Sequence, residues 1–384
     1  MVKIVKKLLF FTVIVCFFAF LIGKPVGLVA SADNEKITSA RGMCTMETSS
    51  GRVLYSKNMH EKMPMASTTK IITAITVLSK IKDLDQKAVI PKQAIKIPGT
   101  SIYLEEGESL TIRELLYGLM LRSGNDAAVA LAILSCGSVE EFVDYANEFV
   151  KTLGAKDTHL VNPHGLDDSR HYTTPYDLAK ITAFALQDKN FAEIVKTEDK
   201  VISKEFDKNG NKRLLKNKNK LLKNYEYADG VKTGYTSKAG RSFVGSATKD
   251  GMQVVCVVLN CKPMFEECEA LLKKSFDEYR LVKVLDREER GTVLTKGAKE
   301  KIVKVINKRE FYYPLKENEI NNITIKTNLK NEILAPCDEN TVVGEIEVNL
   351  GKYLIFSDKI YTIKEVKNNS IKQSLDKVIR DFAS

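Results

Sequence analysis

The chain has 384 residues, 59 lysines and arginines against 49 acids, a net charge of +10, and no tryptophan. That length is too great for one ordinary core, so two domains are expected. The four histidines (60, 159, 164 and 171) show no zinc spacing, and the seven cysteines are too scattered for a disulfide scaffold, which argues against a metal mechanism or a stapled fold.

Residues 1–32 read as a secretory signal. Lys3, Lys6 and Lys7 form a basic start, 8–22 is an apolar run short of a comfortable bilayer span, and Ala30-Ser31-Ala32 supplies the small-residue cleavage pattern. The alternative is an uncleaved anchor helix. Loss of the leader removes four lysines and lowers the charge from +10 to +6. The expected location is therefore outside the cytoplasm, at the outer face of the cytoplasmic membrane or in the cell wall. A basic exported chain meets anionic head groups and wall polymers there, and nucleic acid is not expected as a partner. Cys16 leaves with the signal. Of the six cysteines that remain, Cys256, Cys261 and Cys268 lie close enough in sequence for one bridge, which the spacing does not decide.

Within 33–280, two strands are expected at 43–48 and 52–57 about a Ser49-Ser50-Gly51 turn. A helix at 66–81 is apolar on several sides, as for a helix buried in mid-domain. Further helices are expected at 112–121, 126–135, 139–153 and 175–186. The basic stretch 204–223 reads as a solvated hairpin or loop. Strands at 241–248 and 252–259 flank a Lys249-Asp250-Gly251 turn, and 265–279 reads as an amphipathic helix. From 281 to 366, short alternating runs at 302–306, 323–327, 342–348 and 359–363 predict a small all-β module. The tail, 367–384, sets Ile371, Leu375, Val378, Ile379 and Phe382 at helical spacing beside Lys372, Lys377 and Arg380. Such a helix lies on a membrane surface or docks on its own domain.

Three short motifs carry the chemistry. Ser67-Thr68-Thr69-Lys70 opens the apolar helix and puts a serine and a lysine on one face, a turn apart. Ser123-Gly124-Asn125 falls between two predicted helices, and Lys232-Thr233-Gly234 precedes a strand hairpin. Singly each has a reading as turn chemistry. In this order, beside these elements, they match the signature of penicillin-binding proteins and serine β-lactamases. The sequence resembles the low-molecular-mass D-alanyl-D-alanine carboxypeptidases (the S11 peptidases). The likeness runs through 101–125, Asn162-Pro163-His164-Gly165-Leu166, His171-Tyr172-Thr173-Thr174 and 219–234, which is most of the first domain, and the β module also suits that family.

The resemblance implies an α/β (α+β) catalytic domain with an antiparallel sheet and helices, followed by a small all-β sandwich. It implies action on peptidoglycan stem peptides ending in D-Ala-D-Ala, covalent binding of β-lactam antibiotics, and no cofactor. Ser67 would be the nucleophile and Lys70 its base. Lysine must be neutral to act, and lowering its pKa from about 10.4 to about 7 costs roughly 4–5 kcal/mol, which burial and the charge of Lys232 would have to supply. Ser123 would relay a proton to the leaving amine and Asn125 would hold the substrate amide. The amides of Ser67 and Tyr235 would form the oxyanion hole, with Gly234 beside them, and Thr233 would bind the terminal carboxylate.

Two positions depart from the relatives. Tyr235 follows the third motif, which its backbone role tolerates. Met264 stands where relatives often place an arginine for the substrate carboxylate, leaving Lys262 or Arg241 as substitutes. His164 and His171 flank the expected cleft but read as structural, and Asp167 and Asp168 read as loop and cap residues. Three rivals remain. A β-lactamase is disfavoured by the lack of a Glu-x-x-Leu-Asn pattern between 123 and 232. The others are an endopeptidase acting on cross-linked peptides and a catalytically silent wall-binding protein, for which Met264 is the best argument.

Overall fold

The structure, a computed structural model, describes residues 38–203 and 212–369. The expected signal and the amphipathic residues beyond 369 lie outside the described residues. The chain divides into two compact units between Arg280 and Leu281.

In the first unit, β1 (Gly42–Glu47) and β2 (Val53–Lys57) form a hairpin. The Glu47 carboxylate accepts from the amides of Ser49 and Ser50 at 2.9 and 2.8 Å, and Gly51, at φ 70°, completes the turn. Helix α1 (Thr69–Lys80) follows, with ten of its residues buried. It packs against α2 (Ile112–Leu121), α3 (Asn125–Cys136), α4 (Val139–Thr152) and α5 (Pro175–Ala185). Its buried threonines keep their hydroxyls bonded, Thr73 to Pro163 O and Thr76 to Ile72 O, so the helix enters the core without orphaned donors. Two short hairpins, β3 (Lys87–Val89) with β4 (Ser109–Thr111) and β5 (Asp199–Ile202) with β6 (Arg213–Lys216), flank the helices, α6 (Lys189–Lys196) lying between them in sequence. After a one-turn helix, α7 (Leu221–Asn224), come β7 (Ala228–Thr236), β8 (Gly240–Lys249), β9 (Met252–Leu259) and α8 (Met264–Glu278). The antiparallel sheet runs β2-β1-β9-β8-β7. Helix α5 packs on β1 and β9 and α8 on β8 and β9; β1 is buried throughout and β9 nearly so.

The basic stretch is not wholly solvated. Within its described part, Arg213 is 9 % exposed and forms a buried ion pair with Glu108. The density of lysines and other polar residues made the stretch look solvent-facing, but β6 alternates in burial and its inward positions carry Arg213 and Leu215.

The second unit is all β. It holds β10 (Arg280–Leu285), β11 (Glu289–Lys296), β12 (Ile302–Asn307), β13 (Phe311–Leu315), β14 (Ile323–Leu329), β15 (Glu332–Leu334), β16 (Val342–Leu350) and β17 (Tyr353–Thr362). Six form one sheet in the order β14-β16-β17-β12-β11-β15, and β10 pairs with β13. Alternation fixes the inner face: Val303 and Val305, Val343, Ile346 and Val348, Ile355 and Ile360 share one core with Val293, Tyr313 and Leu315. The unit runs past Ile363, since Val366 pairs with Cys337 and the Asn369 amide donates to Gly297 O at 2.8 Å. All six described cysteines are free thiols.

Candidate active site

The Ser67-Thr68-Thr69-Lys70 motif does not open as a regular helix. Ala66–Thr68 forms a 3-10 turn ahead of α1, and Ala66 stands at φ 46°, a left-handed conformation that costs a non-glycine residue about 1–2 kcal/mol. Thr68 Oγ1 donates to Met65 O at 2.6 Å and Thr69 Oγ1 to Ala66 O at 2.7 Å. Two glycines crowd the turn. A Cβ on Gly165 would stand 2.0 Å from Ala66 O, and one on Gly234 would meet Met65 O, Ser67 N and Thr68 N at 3.2 Å. Close approach of the 162–166 loop and of β7 to Ser67 therefore depends on both residues lacking a side chain. Ser67 itself is half-buried.

Lys70, one turn into the motif, is completely buried. Its Nζ lies within hydrogen-bond distance of three oxygens, Ser67 Oγ at 3.0 Å, Asn125 Oδ1 at 2.7 Å and His164 O at 2.6 Å. Burial above all, then the like charges of Lys232 and Lys218, push its pKa well below the ordinary lysine value, and Asp126 opposes them. A neutral amine keeps two N–H groups and one lone pair. Asn125 Oδ1 and His164 O can only accept, so they take the two N–H groups. The lone pair is then left for Ser67, whose hydroxyl alone among the three partners can donate. The surroundings of Lys70 thus select the geometry of a base.

Asn125 opens α3, and its carboxamide is fixed at both ends, Oδ1 on Lys70 and Nδ2 on Pro98 O at 2.6 Å. Ser123, 4 % exposed, is a second non-glycine residue in the left-handed region, at φ 64°. Thr100 ties down this turn: its hydroxyl donates to Ser123 O and its carbonyl accepts the Asn125 amide at 2.7 Å. The adjoining 101–104 loop is clamped from two directions. Buried Asp126 accepts from the amides of Ile102 and Leu104 and from Ser101 Oγ at 2.6 Å. Arg213 spends all five N–H donors, on Ile102 O, Tyr103 O, Ser203 O and both oxygens of Glu108.

Lys232, on β7, is 1 % exposed and donates to Thr233 O at 3.0 Å. Burial first, then the charge of Lys218, lowers its pKa to about 7. The structure thus joins Ser67, Lys70 and Asn125 through one lysine nitrogen, sets Gly234 against the Ser67 turn, and couples Lys232 to Lys70 by charge. Among the described residues, the side chains of Ser123 and Thr233 make no hydrogen bond to these groups. The Tyr235 ring is 65 % exposed, directly across from Arg241 on β8, whose guanidinium lies 5.7 Å from the ring centroid. Met264 is buried at the start of α8, and Lys262 is exposed. Of the two substitute cations, Arg241 is the one held at the third motif.

Three contributors escaped the sequence. The His164 carbonyl is a backbone group with no residue signature. Lys218, whose amide donates to Leu121 O at 3.2 Å, was one basic residue in a basic run. Asp126 was one acid at a helix start. His164 and His171 are both kept neutral by burial, their pKa values lowered to about 3 and about 4. Asp167 accepts from Thr236 Oγ1 at 2.8 Å, and Asp168 caps the Arg170 amide at 2.7 Å.

Residues 29–263 match the D-alanyl-D-alanine carboxypeptidase family, and residues 279–368 match the C-terminal domain of penicillin-binding protein 5. The chain is 30 % identical to the D-alanyl-D-alanine carboxypeptidase DacF of Bacillus subtilis over 359 residues, 91 % of each chain. It is 31 % identical to DacD of Escherichia coli over 322 residues, 79 % of this chain and 80 % of that one. The crystal structure of penicillin-binding protein 5 from Haemophilus influenzae superposes with a TM-score of 0.74 at 26 % identity, over 86 % of this chain and 98 % of the other. The Streptomyces K15 DD-transpeptidase gives 0.59 at 33 % identity, over 62 % of this chain and 98 % of the other.

Proposed function

The chain belongs to the D-alanyl-D-alanine carboxypeptidase family, and from that premise we propose the division of labour at its site. The enzyme is a serine hydrolase that removes the terminal D-alanine from peptidoglycan stem peptides and is acylated by penicillin. Ser67 attacks the carbonyl of the penultimate D-alanine while neutral Lys70 takes the hydroxyl proton. The single observation that carries this assignment is the set of three partners on Lys70 Nζ, two of them acceptors only. The tetrahedral oxyanion faces the amides of Ser67 and Tyr235. Lys232 supplies positive charge, and Ser123 relays the proton taken up by Lys70 to the departing D-alanine nitrogen as the C–N bond breaks, which returns Lys70 to its neutral form. Asn125, its Oδ1 on Lys70, offers its remaining N–H to the substrate amide. Water then enters, Lys70 acts again as base, and the acyl-enzyme is hydrolysed.

Thr233 and Arg241 receive the terminal carboxylate. Arg241 rather than Lys262 is assigned here because it stacks on Tyr235 at the third motif and presents a fork to the carboxylate. The enzyme is exported and works at the outer face of the cytoplasmic membrane, with residues 370–384 resting on the lipid surface through their apolar face. Truncation after Asn369, which leaves the β unit's own pairings intact, should release it from membranes at low salt.

The test is release of D-alanine from a diacyl-L-lysyl-D-alanyl-D-alanine peptide by the mature protein, with Ser67→Ala as control. Release that vanishes in the variant is the expected result. Acylation by penicillin without release of D-alanine would mean that the natural substrate is a cross-linked peptide. Rapid turnover of a cephalosporin would instead mark a β-lactamase.

A further inference from the structure

We propose that His171 is a positioning residue for acylation: through Thr69 it holds the left-handed turn at Ala66 from which Ser67 is presented. The inference rests on Ser67 being the acylated nucleophile.

A directed chain of hydrogen bonds runs from the Val161 amide to the Ala66 carbonyl. The Val161 amide lies 3.1 Å from His171 Nδ1 and can only donate, so Nδ1 is the acceptor and the ring proton sits on Nε2. Nε2–H then donates to Thr69 Oγ1 at 2.8 Å. With that lone pair engaged, the Thr69 hydroxyl donates to Ala66 O at 2.7 Å. Each donor has one acceptor, and the series ends on the carbonyl whose residue carries the positive φ.

Ala66 needs such a support. A left-handed alanine persists only where its surroundings over-determine it, and a helix continued backward through Ala66 would rotate Ser67 away from its present direction. Gly165 and Gly234 leave room for the turn but do not hold it, whereas the Thr69 hydroxyl grips its carbonyl. The grip is shielded, since Thr69 is 0 % exposed and His171 3 %. The imidazole is itself mounted rigidly: its amide donates to Asp168 O at 3.1 Å, and the next two residues bridge to His159 and Met63. Burial keeps the ring neutral, with its pKa lowered to about 4, so the donor and acceptor assignment is constant through the neutral range.

The mature protein is tested by stopped-flow acylation with benzylpenicillin, separating the dissociation constant of the encounter complex from the acylation rate constant. Four variants divide the chain. Thr69→Val removes the hydroxyl and Thr69→Ser keeps it. His171→Gln keeps an N–H near the Nε2 position, and His171→Asn keeps only an acceptor near Nδ1. Thr69→Val and His171→Asn should lower the acylation rate constant about 10- to 100-fold, as expected for a nucleophile displaced by a fraction of an ångström to an ångström, and leave the encounter constant within about twofold. Thr69→Ser and His171→Gln should stay within about fivefold of the parent. A faster His171→Asn than His171→Gln would overturn the proposal, because the ring would then serve only to hold Val161. Wild-type acylation by Thr69→Val would overturn it as well, and this pair decides the matter even if the His171 variants fail to fold. A parent protein that does not acylate at all would instead refute the assignment of Ser67.

Discussion

The two units of this chain treat charge in opposite ways. The first buries Lys70, Lys232, Asp126, Glu108 and Arg213 among its apolar residues. The second has a core of aliphatic and aromatic side chains, and most of its ion pairs lie at the surface; Asp358, 8 % exposed, is paired with an Arg309 that is 34 % exposed. Arg213 and Glu108 leave 8 % and 1 % of their side chains exposed, whereas Lys304 and Glu289 of the β unit leave 59 % and 46 %. Burying a charge costs several kcal/mol unless partners replace the lost water. The first unit accepts that cost at Lys70, whose burial pushes it toward its neutral form, and at the clamp on the 101–104 loop, which adjoins the Ser123 turn. The second unit meets it at Asp358 alone among its described ion-paired carboxylates, and there the arginine partner stays partly in water.

The largest test of this contrast is the buried pair. Arg213→Met leaves the Glu108 carboxylate in the interior without its five-donor partner, and should cost about 3–5 kcal/mol in urea unfolding of the first unit. Arg213→Lys should recover little, since an ammonium cannot serve Ile102 O, Tyr103 O, Ser203 O and a bidentate carboxylate together. Acylation should slow in both variants, because the clamp on the 101–104 loop also steadies Thr100 and the Ser123 turn. A loss under about 1 kcal/mol would mean that water reaches the pair, and the contrast between the units would fail.

A smaller effect comes from the neutral histidines. His164 and His171 have folded pKa values of about 3 and about 4, below the ordinary unfolded value near 6.5. The unfolded chain therefore binds more protons between those limits, so the stabilising difference is complete above pH 6.5 and is lost as pH falls toward 4. Each histidine contributes about 1.4 kcal/mol per pH unit in that window. Unfolding of the mature protein at pH 6.5, 5.8 and 5.0, above the range of ordinary carboxylates, should show this slope in the first unit. His171→Gln should lower it by about half. An unchanged slope would place the acid sensitivity elsewhere.

Much of this was legible in sequence because it depends on local patterns. The hairpin at Gly51, the helix over 112–121 and the strand over 252–259 follow from turn chemistry and periodicity, and the structure sets them as Ile112–Leu121 and Met252–Leu259. Ser67 and Lys70 come together because one helical turn separates them. What was not legible depends on distant partners. The 3-10 start at Ala66 follows from Thr69, Gly165 and His171, the last more than a hundred residues away. Arg213 meets Glu108 at a comparable separation, so a basic run could not reveal which of its members turns inward. The identity of the cation at the third motif likewise waited on strand register, which sets Arg241 opposite Tyr235 while Met264 is buried.

The smallest effect is expected in the β unit, and it tests the contrast from its other side. Lys304 Nζ lies 3.0 Å from Glu289 Oε2, a distance no worse than many bonds in the catalytic unit. Distance alone would rank the two kinds of pair together. Exposure separates them, because water already solvates both groups and two long side chains lose freedom on pairing, so such pairs contribute under about 1 kcal/mol. A double-mutant cycle with Lys304→Ala and Glu289→Ala, read from unfolding of the β unit, should give a coupling within that bound, falling further in 0.5 M salt. Coupling as large as that expected for Arg213 would show that the β unit, too, depends on charge. Near-zero coupling would leave its stability to the aliphatic core that Val303, Val305, Ile346 and Ile360 share.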